Sequence, residues 1–142
     1  MTARFADAIQ IVDHAAPDAA QRFVTSLKDT GFAVLNPHPI PTPLMTKVYD
    51  DWAGFFASEA KHDYTHDPEV QEGYFPFRCE QAKDSTIMDL KEFYHVYPHG
   101  PVPETVESPT RQLYNALHVL GLSLLDWLEQ HTPEDVRQRF SK

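Results

Sequence analysis

The sequence predicts an α+β chain in which helices carry most of the mass and two short strands separate them. Three observations support this. Two long segments repeat apolar residues at helical spacing. Two short runs are rich in β-branched and aromatic residues and are bounded by turn formers. Twelve prolines fall mostly between these segments, where they act as punctuation.

The first helix is predicted over Pro17–Thr30. Proline suits a first helical position, because its missing N–H would have no partner there. Ala20, Phe23, Val24 and Leu27 make one apolar face, and Gly31 supplies the left-handed residue that commonly ends a helix. Phe32–Asn36 follows as a short apolar run, predicted to be a buried strand. The three prolines of Pro37–Pro41 exclude regular structure there. Thr42 and Pro43 then open a second helix as cap and first residue. Its face is Met45, Val48, Tyr49, Trp52, Phe55 and Phe56, and it should end near Ala60 or Lys61. From His62 to Asp84 the chain is polar and irregular, contains the aromatic cluster Gly73–Phe77, and is read as a long, partly ordered connection. Lys91–Tyr97 reads as a strand and Pro98–Pro103 as a turn. Ser108 and Pro109 are predicted to start a helix that runs to about Gln130. Its stripe Leu113, Leu117, Leu120, Leu124, Leu128 is expected to be core rather than a cofactor box. Thr132–Asp135 resembles one more helix start. No internal repeat or low-complexity tract interrupts this order.

Composition narrows the function. The 142 residues suffice for one domain, and 42% hydrophobic content with nine phenylalanines argues for a folded, ring-rich core. The formal charge of −9 and the absence of a basic cluster argue against nucleic acid as a partner. The single cysteine, Cys79, cannot form an internal disulfide, which fits a reducing compartment. No window approaches the ~18 uncharged apolar residues of a membrane span, and no secretory leader is read at Met1. The expectation is a soluble, cytoplasmic protein without membrane partners.

Several constellations bear on chemistry. His62 and His66 stand four apart, and on a helix they would share a face as metal ligands can; a polar helix end entering a loop is the blander and preferred account. None of the eight histidines begins a His-x-Asp or His-x-Glu, the local half of a two-histidine, one-carboxylate iron site. Cys79 beside Arg78 could favour a thiolate, although a lone cysteine is more often a small packed hydrophobe. No nucleophile elbow, phosphate loop or dinucleotide fingerprint occurs. Gly73–Arg78 places three aromatics and an arginine in a loop. Either the rings pin the loop to the core, or the stretch lines a pocket with Arg78 pairing a carboxylate. His95 either faces that pocket or is a satisfied core histidine.

Taken together, several segments resemble the isopenicillin N synthase-like dioxygenases. Gly31-Phe32-Ala33-Val34-Leu35-Asn36, with His38 and Ile40, is similar to their Gly-Phe-x-x-Val-x-Asn-His-Gly-Ile segment. Phe55-Phe56 and Lys61 resemble the end of their next helix. Gly73-Tyr74 resembles their Gly-Tyr loop, and Asp89-Leu90-Lys91-Glu92 their Asp-Trp-Lys-Glu segment. The chain departs from the pattern at Pro37, Pro39 and Leu90. The resemblance covers about Gly31–Gln130.

The resemblance implies an N-terminal helical region, residues 1–142, whose short strands belong to a double-stranded β-helix (jelly roll) expected after residue 142. It implies Fe(II) and 2-oxoglutarate as cofactors of a full-length enzyme that hydroxylates or otherwise oxidises a small molecule, with the iron ligands downstream. This chain alone is expected to bind neither cofactor and to supply no catalytic or metal-ligating residue. Tyr74, Phe77, Arg78 and His95 are expected to border the substrate mouth. The competing expectation is a free-standing, α-rich interaction module without catalysis. In either case a strand edge left unpaired would favour self-association.

Overall fold

The computed structural model describes residues 9–134 and Arg137. The helix expected from Thr132 lies, after Glu134, almost wholly outside the described residues. In order, the elements are β1 (Ile11–Val12), α1 (Ala19–Thr30), β2 (Val34–Leu35), α2 (Thr42–Ala57), a 3-10 helix (Glu59–Tyr64), β3 (Gly73–Phe75), β4 (Phe93–His95) and α3 (Glu104–Gln130). They form two compact units, Met1–Pro41 with Tyr114–Lys142, and Thr42–Leu113. Among the described residues, no helix is long and apolar enough to cross a membrane.

The first unit is built on a β–α–β turn of chain. β1 and β2 pair in parallel, Ile11 opposite Val34 and Val12 opposite Leu35. Parallel neighbours need a crossover, and α1 supplies it. Gly31, at φ 80, ends that helix, and its N–H bonds the Leu27 carbonyl at 2.8 Å. The buried face of α1 is Ala19, Phe23 and Ser26 rather than the expected Ala20, Phe23, Val24 and Leu27. A polar residue occupies that face because its hydroxyl ties helix to ribbon. Ser26 Oγ accepts the Gln10 N–H at 3.0 Å and donates to the Phe32 carbonyl at 2.7 Å. Ser26→Ala should strand the Gln10 N–H, while the Phe32 carbonyl keeps the Thr30 hydroxyl at 2.9 Å, and should lower stability by about 1–2 kcal/mol, read from a urea midpoint. Trp127 closes this unit, edge-on to Phe23 at 5.7 Å and tilted on His14 at 5.0 Å.

The strand expected over Phe32–Asn36 shrinks to two residues and is not buried on both faces. Val12 is fully buried, but Ile11, Phe32 and Val34 are 60%, 67% and 45% exposed. Ile11 and Val34 are direct partners, and Phe32 lies two residues before Val34, so all three share the outer face of the ribbon. The leucine stripe of α3 also departs from expectation. None of its members is buried, and Leu117 is 51% exposed beside the exposed Val119, Leu122 and Leu125.

The second unit packs Phe55, Val102 and Val106 into a core flanked by Trp52, Phe56, Tyr64, Tyr94 and Val96. The face expected for α2 holds except at Tyr49, which is 77% exposed. Thr42 is the first helical residue rather than a cap, and the helix ends at Ala57 before the 3-10 turn. α3 starts at Glu104, four residues before the expected start, with Pro109 inside it. Proline removes one intrahelical bond there. The extra turn is held by tertiary contacts instead. Val106 and Pro109 are buried, and Trp52 Nε1 donates to Thr110 Oγ1 at 2.9 Å. Arg111 fastens the proline-rich turn, donating to the carbonyls of Tyr97, Pro98 and Gly100 at 2.8, 3.0 and 2.7 Å.

Candidate functional site

The ordered part of the connection expected over His62–Asp84 includes β3, whose three residues are all buried. β3 pairs antiparallel with β4, Gly73 opposite His95, Tyr74 opposite Tyr94 and Phe75 opposite Phe93. The strand Lys91–Tyr97 is thus present but shorter than expected. Side chains alternate across this ribbon and give it two chemically distinct faces.

One face is polar at its centre. Tyr74, 1% exposed, donates its hydroxyl proton to Glu92 Oε2 at 2.5 Å. Lys61 Nζ donates to the same oxygen at 2.9 Å and to the Phe56 carbonyl at 2.7 Å. Hydrogen bonds from Tyr74 and then Lys61 hold the Glu92 carboxyl below the usual carboxylate range. The bond to Glu92 holds Lys61 above its ordinary value. Burial, then the neighbouring carboxylate, pushes Tyr74 up. Tyr94 is pushed up to about 12, chiefly by burial, and its hydroxyl donates to the Pro101 carbonyl at 2.8 Å.

These shifts predict a stability profile with two falling limbs. The contribution of Glu92 is complete above the ordinary carboxylate range and is lost as pH falls through its lowered pKa. That of Lys61 is complete below the ordinary lysine range and is lost as pH rises through its raised one. Tyr74 and Tyr94 stay neutral in the fold, so stability also falls once pH passes the ordinary tyrosine value. Urea midpoints measured across pH should be flat from roughly pH 5 to 10 and should drop on both sides.

The other face is an aromatic stack. His66 lies flat on Phe75 at 3.9 Å, and Phe75 on Phe93 at 4.5 Å. His95 leans on both phenylalanines, at 4.6 and 4.9 Å. His95 Nδ1–H donates to the Gln71 carbonyl at 3.1 Å; a carbonyl only accepts, so that nitrogen carries the proton. The His66 Nδ1 atom is buried without a partner.

β3 also separates the two histidines weighed as metal ligands. His62 stands edge-on to Tyr74 at 5.7 Å, whereas His66 stacks on Phe75. Consecutive strand residues face opposite ways, so the two imidazoles do not converge. Among the described residues, no group of three histidine, cysteine, aspartate or glutamate side chains is placed to hold a metal ion. The described side chains therefore do not fit an iron centre.

Of the four residues assigned to a substrate mouth, Tyr74 and His95 share the ribbon but occupy opposite faces. Phe77 and Arg78 lie together beyond its end. Phe77 is 53% exposed, and the Arg78 guanidinium sits 5.5 Å from its ring centroid. Beside Arg78, the loop residues Ile87, Met88 and Leu90 line a recess of about 310 Å³. Sequence reasoning missed these three. The usable signal was an apolar cluster, unusual for a polar connecting loop. Cys79 is free and exposed.

The chain has clear relatives. Residues 5–119 match the family described as "non-haem dioxygenase in morphine synthesis N-terminal". A crystal structure described as a "Putative oxygenase" from Shewanella oneidensis is 37% identical and superposes with a TM-score of 0.81. The match covers 91% of this chain and 45% of that one, so this chain spans less than half of that protein's length. No curated protein matches.

Proposed function

Because the chain belongs to the non-haem dioxygenase N-terminal family, we propose that it serves as the supporting and substrate-bordering part of a longer Fe(II), 2-oxoglutarate-dependent oxygenase. That enzyme would hydroxylate or otherwise oxidise a small molecule in the cytoplasm, with no role for nucleic acid or membrane. The observation that carries the reading is the family match over residues 5–119, supported by the 37% identity with a protein described as an oxygenase. The cofactors would be held by a jelly-roll region outside the residues described here.

The exposed apolar surfaces favour a partner sheet. Ile11, Phe32 and Val34 present three large side chains on the outer face of a two-stranded ribbon, which is too small to be stable alone. In the longer enzyme this ribbon would extend the jelly roll. Phe77, Arg78 and the half-buried His95 would approach the substrate mouth, with Tyr74 and Glu92 positioning the ribbon that carries His95.

The test is oxygen uptake by the protein expressed from its complete reading frame. Consumption that requires both added Fe(II) and 2-oxoglutarate supports the reading; none under either condition overturns it. The same surfaces support a second reading, an interaction module that self-associates through the ribbon. Sedimentation of the 142-residue chain decides that one. A concentration-dependent dimer that Phe32→Asp returns to monomer favours the module, and a monomer at all concentrations overturns it.

A further inference from the structure

The connection between β3 and β4 is a built loop in which Arg78 and Lys83 make no ion pair among the described residues, and of these two only Arg78 lines the loop's apolar recess. Its neck is closed by Asp89 N–H donating to the Glu80 carbonyl at 2.8 Å and by a bridge between Gln81 and Met88. Its inner turn is held by Ser85 N–H to the Ala82 carbonyl at 3.0 Å and Ile87 N–H to Ser85 Oγ at 3.0 Å. Lys91 takes both neck carboxylates, Glu80 at 3.1 Å and Asp89 at 3.3 Å. Arg78 has no ion pair among the described residues; its guanidinium lies 5.5 Å from the Phe77 ring centroid. Its backbone is left-handed, φ 62, which is uncommon for a residue with a Cβ. Around it stand exposed apolar side chains: Ile87 76%, Leu90 70%, Phe77 53% and Met88 37%. Such residues are unexpected on a polar connecting loop of a chain with net charge −9.

We infer that this recess binds a small molecule with an apolar body and a single terminal carboxylate, the carboxylate on Arg78 and the body on Ile87, Met88 and Leu90. Charge complementarity selects that occupant. From Pro76 to Lys91 the loop carries Arg78, Lys83 and Lys91 against Glu80, Asp84 and Asp89, so it is balanced before a ligand arrives. A monoanion matches the one unpaired guanidinium, whereas a polyanion would meet the surrounding carboxylates. The planar guanidinium fork matches a carboxylate through two parallel hydrogen bonds. The proposal names a substrate class for the oxygenase reading, and it rests on that reading only in calling the bound acid a substrate.

Titration calorimetry of the 142-residue chain with octanoate tests it, with octanol and acetate as controls. Saturable octanoate binding is expected, at least tenfold tighter than either control. Arg78→Gln should weaken octanoate at least tenfold and leave octanol unchanged. Leu90→Asp should weaken octanoate with Arg78 still present, and unchanged near-ultraviolet circular dichroism would show both variants folded. Equal affinity for octanoate and octanol, or an unaltered Arg78→Gln variant, overturns the proposal. So does a recess covered by a second copy, seen as a dimer that Leu90→Asp dissociates. Octanoate binding without iron-dependent oxygen uptake by the complete protein would sink the oxygenase reading and leave the acid site standing. Oxygen uptake with no octanoate binding would do the reverse.

Discussion

Gly73→Ala is expected to be the most damaging single-methyl change in the Thr42–Leu113 unit. Gly73 opens β3 at φ 102, a backbone conformation that side-chain-bearing residues rarely adopt. A Cβ there would lie 2.6 Å from the Tyr64 carbonyl oxygen and 3.3 Å from His66 Cα. Both obstacles are backbone and neither can swing aside. The local cause is the close approach of the 3-10 turn to the strand, where His66 N–H bonds the Tyr74 carbonyl at 2.8 Å. Conformational strain alone costs about 1–3 kcal/mol, and relieving the clash would break this approach as well. A total loss of about 3 kcal/mol or more is expected, read as a fall in the urea midpoint with unchanged slope. The stack of His66 on Phe75 should loosen with it. An alanine variant as stable as the parent would show that the turn can retreat from β3.

The second large effect is an asymmetry around Glu92. Glu92→Leu leaves the hydroxyl of the buried Tyr74 without its acceptor and should cost about 2 kcal/mol. Tyr74→Phe removes only a donor, and Glu92 keeps Lys61 at 2.9 Å; about 1 kcal/mol is expected. In the double variant no hydroxyl is stranded, so its loss should fall short of the sum by about 1 kcal/mol. Additive losses would mean that the hydroxyl finds water once the carboxylate is gone. The acid limb of the pH profile should also flatten in Glu92→Leu, because the group whose protonation it reports is absent.

Much of the helical framework was legible because helix signals are local. Gly31 ended α1 as expected, and the apolar periodicity of α2 located Phe55 in the core. The misplaced start of α3 shows where local logic stops. Proline is favoured in a first turn, but the buried Val106 and Pro109 stabilise one turn more than propensity alone supports. The site was less legible. Gly73-Tyr74 pointed to the right stretch as a motif, yet its neighbours gave no strand signal, because β3 is three residues long and its partner lies beyond the Pro76–Glu92 connection. The partition of Tyr74 and His95 between two faces followed only from that register.

By itself, the sequence determined the family, through ordered segments such as Gly31–Asn36 and Asp89–Glu92, and it determined where the long helices lie. The tertiary structure alone decided which strands pair, and hence which side chains are covered. Ile11 gave no sign of pairing with Val34, and Phe32 reads as core although its face is open. The physical reason is the same in both cases. Helical bonds close within four residues, whereas strand pairing and burial join residues whose separation along the chain leaves no periodic trace.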